Sequence, residues 1–133
     1  MVSADLEQYL HGKSHEYESC LKACLECMVA CDMCSDACLN EEDVNMLVEC
    51  IRLDRDCADA CNAASRAMSR GGPLSAELCR SCAEACERCA AECEKHSHHR
   101  HCTVCAEACR RCAAESSACS AATSPTGWVG AAC

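Results

Sequence analysis

Residues 20–38 read CLKACLECMVACDMCSDAC, and the six cysteines, Cys20, Cys24, Cys27, Cys31, Cys34 and Cys38, follow one another at steps of four, three, four, three and four. Such alternation averages about 3.5 residues, close to the 3.6 of an α-helix, so all six side chains leave one face. At about 1.5 Å of rise per residue the stripe is roughly 27 Å long. The stretch therefore predicts a long helix bearing a continuous ribbon of sulfur.

Three more segments carry the same signature. NEED at 40–43 offers Asn40 as an N-cap with acids in the first turn, so a second helix is expected after a very short connection. It holds Cys50, Cys57 and Cys61, and the same spacing extended along it brings Met46, Leu53, Ala64 and Met68 onto that face. SRGGPLSAE at 69–77 breaks the pattern at Gly71, Gly72 and Pro73, and Ser75 is placed to cap a third helix. That helix holds Cys79, Cys82, Cys86, Cys89 and Cys93 and runs into KHSHHRH at 95–101. The fourth holds Cys102, Cys105, Cys109, Cys112 and Cys119, with TSPTG from Thr123 expected to stop it. CAEACERCAAEC at 82–93 recurs as CAEACRRCAAES at 105–116, so Ser116 stands where the repeat has Cys93.

Short connections make neighbours antiparallel, and four helices with one small-residue face each bury those faces best around a common axis. The expected fold is all-α, an antiparallel up-down-up-down four-helix bundle over residues 14–122, with helices at about 14–39, 42–69, 75–95 and 98–122. A segment at 1–13 precedes it, with a short helix near 4–10 capped by Ser3 and ended by Gly12, and a tail at 123–133 holds Trp128 and Cys133.

Composition agrees with one domain of unusual interior. Half of the 133 residues are hydrophobic, yet 20 of them are Cys and Phe is absent, so the usual large core side chains are scarce. Small residues and sulfur must fill the interior. Twenty cysteines in a short chain suggest a secreted disulfide scaffold, but MVSADLEQYLHGKSHEYE at 1–18 has neither an apolar h-region nor a small-residue cleavage site. A reducing compartment is expected, with the thiols free to serve a metal. No apolar run reaches 18 residues, which argues against a membrane span, and a net charge of −9 argues against nucleic acid.

Thiolate is a soft ligand suited to Cu(I), Zn(II) and iron–sulfur clusters. Structural zinc is usually held by separated pairs of ligands, and these stripes have no gaps. Iron–sulfur clusters need a bulky core wrapped by four cysteines, and long straight helices supply no wrapping loop. Cu(I) accepts two or three thiolates and lets each sulfur bridge two ions, and Cβ atoms at i, i+3 or i, i+4 lie about 5 to 6 Å apart. At one ion per cysteine the capacity is roughly 20 in order of magnitude. Such a filled interior leaves no open position for catalysis, so no enzyme is expected. Read as small buried hydrophobes, so many inward cysteines have no purpose that Ala or Val would not serve. The residues by themselves point to a multinuclear soft-metal binder, with an iron–sulfur electron-transfer protein and a zinc-buffering metallothionein-like protein as rivals.

The ladder from Cys20 to Cys38, ECIRLDRDCADAC at 49–61, CAEACERCAAEC, and HSHHRHCTVCAEAC at 96–109 resemble the cytosolic bacterial copper storage proteins, cysteine-lined four-helix bundles that bind many Cu(I) ions. The resemblance spans about residues 14–122. It implies Cu(I) as the metal, storage in the cytoplasm, a homotetramer, and copper ions as the partner, with a copper chaperone as a candidate donor. Ser116 and Cys133 depart from the pattern.

Beyond the 19 bundle cysteines, Met46 and Met68 extend the second stripe, where a thioether would pass Cu(I) inward or fill core. His96 extends the third stripe, His98 extends the fourth backward, and His101 lies four residues before Cys105, which makes the histidine end the expected entrance. Met28 and Met33 read as filler, His11 and His15 as exposed, and Tyr17 as a plug at the opposite end. Glu84 with Arg88, and Glu107 with Arg111, have the spacing of solvated surface pairs.

Overall fold

The computed structural model describes residues 3–9 and 17–127. Helices run over Ala4–Glu7 (α1), Glu18–Leu39 (α2), Val48–Arg70 (α3), Ser75–Glu94 (α4) and Arg100–Gly127 (α5), with a 3-10 turn at Val44–Met46. Gly12, His11, His15, Trp128 and Cys133 lie outside the described residues. α1 starts at Ser3, whose Oγ accepts the Leu6 N–H at 3.2 Å.

The four long helices close into a ring: α2 packs on α3 and α5, and α4 packs on α3 and α5. This is the antiparallel up-down-up-down bundle, with all four cysteine faces on the axis. Alanines make the ring tight, because Ala58, Ala64, Ala83, Ala90, Ala106 and Ala113 are buried between helices where a larger side chain would hold the backbones apart. The outer faces carry charge, including the expected Glu84–Arg88 pair at 3.2 Å, which at such exposure adds little stability. No helix of the described residues is long and apolar enough to cross a membrane.

The helix ends differ from the expectation in three places. Asn40 does not start α3: it ends α2, with its Nδ2 donating to the Asp36 carbonyl at 3.1 Å. The chain then makes the 3-10 turn, and Leu47, fully buried, precedes the first residue of α3. Burying one large apolar side chain at this end favours the longer connection. Ser75 is the first residue of α4 and not its cap, since its Oγ donates to the Gly72 carbonyl at 2.7 Å and tightens the turn instead. α5 continues through TSPTG to Gly127, because a proline near a helix end removes only one backbone bond. The break at Gly71 holds: its φ of 61° is left-handed, and the Gly72 N–H bonds the Ala67 carbonyl at 2.9 Å in a Schellman turn.

Candidate metal centre

All 19 described cysteines are free thiols, and all but Cys119 are buried. Helical spacing sets the neighbours along each stripe, and the ring of helices sets them across it. Cys27 Sγ has Cys31 at 3.9 Å on its own helix, Cys57 at 3.8 Å on α3, Cys86 at 3.8 Å on α4 and Cys109 at 3.7 Å on α5. Sulfurs also meet across the diagonals, Cys24 to Cys82 at 3.8 Å and Cys61 to Cys112 at 3.9 Å, since no large side chain separates them.

Two sulfurs about 2.3 Å from a shared ion stand about 3.8 to 4.6 Å apart, from tetrahedral to linear geometry. The bundle therefore holds its sulfurs near coordination distance before any ion enters. Ligand sets overlap: Cys27, Cys31, Cys57 and Cys109 form one, Cys27, Cys57, Cys61 and Cys86 a second, and Cys61, Cys82, Cys86 and Cys112 a third. A sulfur belonging to two sets serves both only by bridging, so the arrangement favours joined clusters over isolated four-ligand sites.

Two oxygen side chains interrupt the sulfur. Ser116 is buried, with its Oγ at 3.6, 3.7 and 3.7 Å from the sulfurs of Cys20, Cys24 and Cys112. Asp54 is buried too, and its Oδ1 accepts from Cys89 at 3.1 Å and Cys105 at 3.3 Å. Burial raises its carboxyl, the nearby Cys105 and Cys50 raise it further, and it titrates at about 9. Asp54, not Leu53, is therefore the inward residue between Cys50 and Cys57, and Leu53 is only partly buried. Desolvation, then the charge on Cys50, pushes the Cys38 thiol up to about 12, so an entering metal must displace a proton.

At the end where α2 leaves and α5 begins, His101 turns its Nδ1 to Cys34 Sγ at 3.4 Å and Cys102 Sγ at 3.6 Å. With Cys38 these form a mixed nitrogen and sulfur set. The other two singled-out histidines sit elsewhere. His96 is buried but bonds Glu92 at 3.0 Å, and His98 is largely exposed and bonds Asp43 at 3.2 Å. Met46 is 71% exposed in the 3-10 turn and does not extend the α3 stripe, because the helix starts two residues later. Met68 is fully buried beside the far end of that stripe, and Tyr17 is buried as well. His99, which no stripe passes through, stands between Glu41 and Asp43 and stacks on His101 with ring centroids 5.2 Å apart. Hydrogen bonds first from His98 and then from His99 hold the Asp43 carboxyl below its usual range.

Residues 13–123 match the family model described as copper storage protein. Among solved structures, the chain resembles a cytosolic copper storage protein from Streptomyces lividans carrying five coppers, with a TM-score of 0.78 and 39% identity over 82% of this chain and 95% of that one. The Streptomyces lividans protein Ccsp loaded with 10 copper equivalents gives a TM-score of 0.81 at 39% identity, over 88% and 96% of the two chains. The Cu(I)-bound copper storage protein BsCsp3 gives 0.74 at 46% identity, over 77% and 96%. A cysteine-rich protein of Bacillus subtilis, YhjQ, is 46% identical over 85 residues, which are 64% of this chain and 78% of that protein.

Proposed function

The chain belongs to the copper storage protein family, and from that premise we propose that it stores many Cu(I) ions on the thiolates lining its bundle. The observation that carries this reading is the overlap of the sulfur sets, in which Cys27, Cys31, Cys57, Cys61, Cys86 and Cys109 each belong to more than one. Each ion that binds exchanges thiol protons for a soft cation. The resulting bridged clusters keep the charge of the buried thiolates compensated without any other counter-ion.

The 19 bundle cysteines are the ligands in this account, with Ser116 and Asp54 as oxygen interruptions where Cu(I), a soft ion, binds less well. His101 is the first ligand at the entrance, and Met68 is a thioether at the far end. The reading is storage and not turnover, since sulfur fills the interior where a catalytic metal keeps an open position. A cytoplasmic location fits the cytosolic Streptomyces relative and free thiols. Delivery by a copper chaperone and assembly into a homotetramer belong to the same proposal, the latter supported by the apolar surface that Val29 and Met33 leave exposed on α2.

The test is thiol protection. Reduced protein, loaded with Cu(I) without oxygen and then treated with an alkylating reagent in urea, should keep its bundle thiols unmodified while Cys133 is labelled, whereas copper-free protein should be labelled throughout. Equal labelling of the loaded and copper-free chains would overturn the proposal.

A further inference from the structure

The connection before α3 and the connection before α5 meet beside the sulfur core, and their side chains offer nitrogen and oxygen where the core offers sulfur. His99 stands between two carboxylates, its Nδ1 2.8 Å from Glu41 Oε2 and its Nε2 2.9 and 3.1 Å from Asp43 Oδ1 and Oδ2. His98 brings its Nε2 to 3.2 Å from the same Oδ2, and the two imidazole rings lie 4.1 Å apart at their centroids. We propose that His98, His99 and Asp43 form a second metal site, separate from the thiolate store, for a divalent cation of borderline softness such as Zn(II).

Donor chemistry selects that class, because imidazole and carboxylate suit Zn(II) and its divalent neighbours while Cu(I) is drawn to the sulfurs below. Spacing agrees with it. Ligand atoms about 2.1 Å from a tetrahedral ion stand about 3.4 Å from one another, so the present contacts need open by only a few tenths of an ångström. Glu41 fits an outer role: it accepts the His99 Nδ1–H, so a metal that displaces the Nε2 proton now shared with Asp43 meets a ring held in place, the carboxylate–histidine–metal arrangement that fixes a ligand's ring and tautomer. Charge agrees as well, since Asp43 and Glu41 supply two carboxylates to a divalent ion.

Access is open from water. The His98 side chain is 60% exposed and that of Asp43 37%, which leaves the fourth position for a solvent molecule. Glu41 also accepts from His101 Nε2 at 2.8 Å, so the site is joined to the histidine that faces Cys34 and Cys102. An ion bound there ties the two connections together across the entrance to the sulfur core.

The experiment uses the full chain already loaded with Cu(I) under anaerobic conditions, so that the thiolates are occupied, and measures Zn(II) binding by equilibrium dialysis. The parent should take up one Zn(II) per chain saturably. His99→Ala and Asp43→Asn should each weaken binding at least tenfold, and Glu41→Gln by about tenfold, the usual effect of an outer-shell partner. Copper content, read in the same samples, reports separately on the store and on the integrity of the bundle, and should not change. Absence of saturable Zn(II) uptake by the loaded parent, or unaltered affinity in a His98→Ala/His99→Ala variant of full copper content, would reduce these contacts to hydrogen bonds between loops and overturn the proposal.

Discussion

Asp54 sits fully inside the bundle with four thiols around it, the nearest, Cys89, at 3.1 Å. Its carboxyl titrates at about 9 in the folded chain against an ordinary 3.8. Between those values the folded state binds one more proton than the unfolded state, so this residue's contribution to stability is complete below the lower value and is lost as pH rises toward the upper. Unfolding of the copper-free protein in urea should therefore show stability falling from about pH 5 to about pH 8, by up to about 1.4 kcal/mol per pH unit. Asp54→Asn, which needs no proton to be neutral, should flatten that slope, and a variant with the parent's slope would contradict the assignment. Asp54 was legible in principle, because Cys50, Asp54, Cys57 and Cys61 repeat the four-three-four step. The cysteines alone, with an apolar residue expected between them, point to Leu53 instead. Ser116 was legible from the internal repeat, since hydroxyl and thiol occupy the same place in it.

The stripes themselves were legible because helical periodicity is fixed by the backbone and leaves an inward cysteine no alternative face. Connections obey no such period. The start of α3 is not legible, because Asn40 is as good at closing one helix as at opening the next, and nothing local reveals that Leu47 will be buried. That shift puts Met46 outside and brings Asp43 and Glu41 against His98, His99 and His101, contacts across more than fifty residues of chain. In the proposed function the connections also set the direction of copper entry. His101 is half-buried, with its Nδ1 against the sulfurs of Cys34 and Cys102, and imidazole holds Cu(I) less firmly than paired thiolates, so the proposal has ions captured there pass inward. His101→Ala should slow Cu(I) uptake from a chelator several-fold while leaving the final capacity within about one ion of the parent. Unchanged kinetics in this variant, with slow loading in Met68→Ala, would move the entrance to the opposite end.

At the scale of the whole molecule the fold followed from few constraints: four apolar faces of small residues, short connections, and no large side chains to build any other core. What the cysteine count could not supply was the three-dimensional sharing of ligands, because diagonal contacts such as Cys24 to Cys82 depend on how closely the helices pack. That sharing separates a store from a set of independent zinc-type sites. Anaerobic titration of the reduced full chain with Cu(I) against a strong competing chelator measures it directly. The account predicts colourless binding of roughly one ion per bundle cysteine, on the order of 20 per chain, before the chelator competes. Saturation at about four ions or fewer per chain, the capacity of unshared four-sulfur sites, would contradict it.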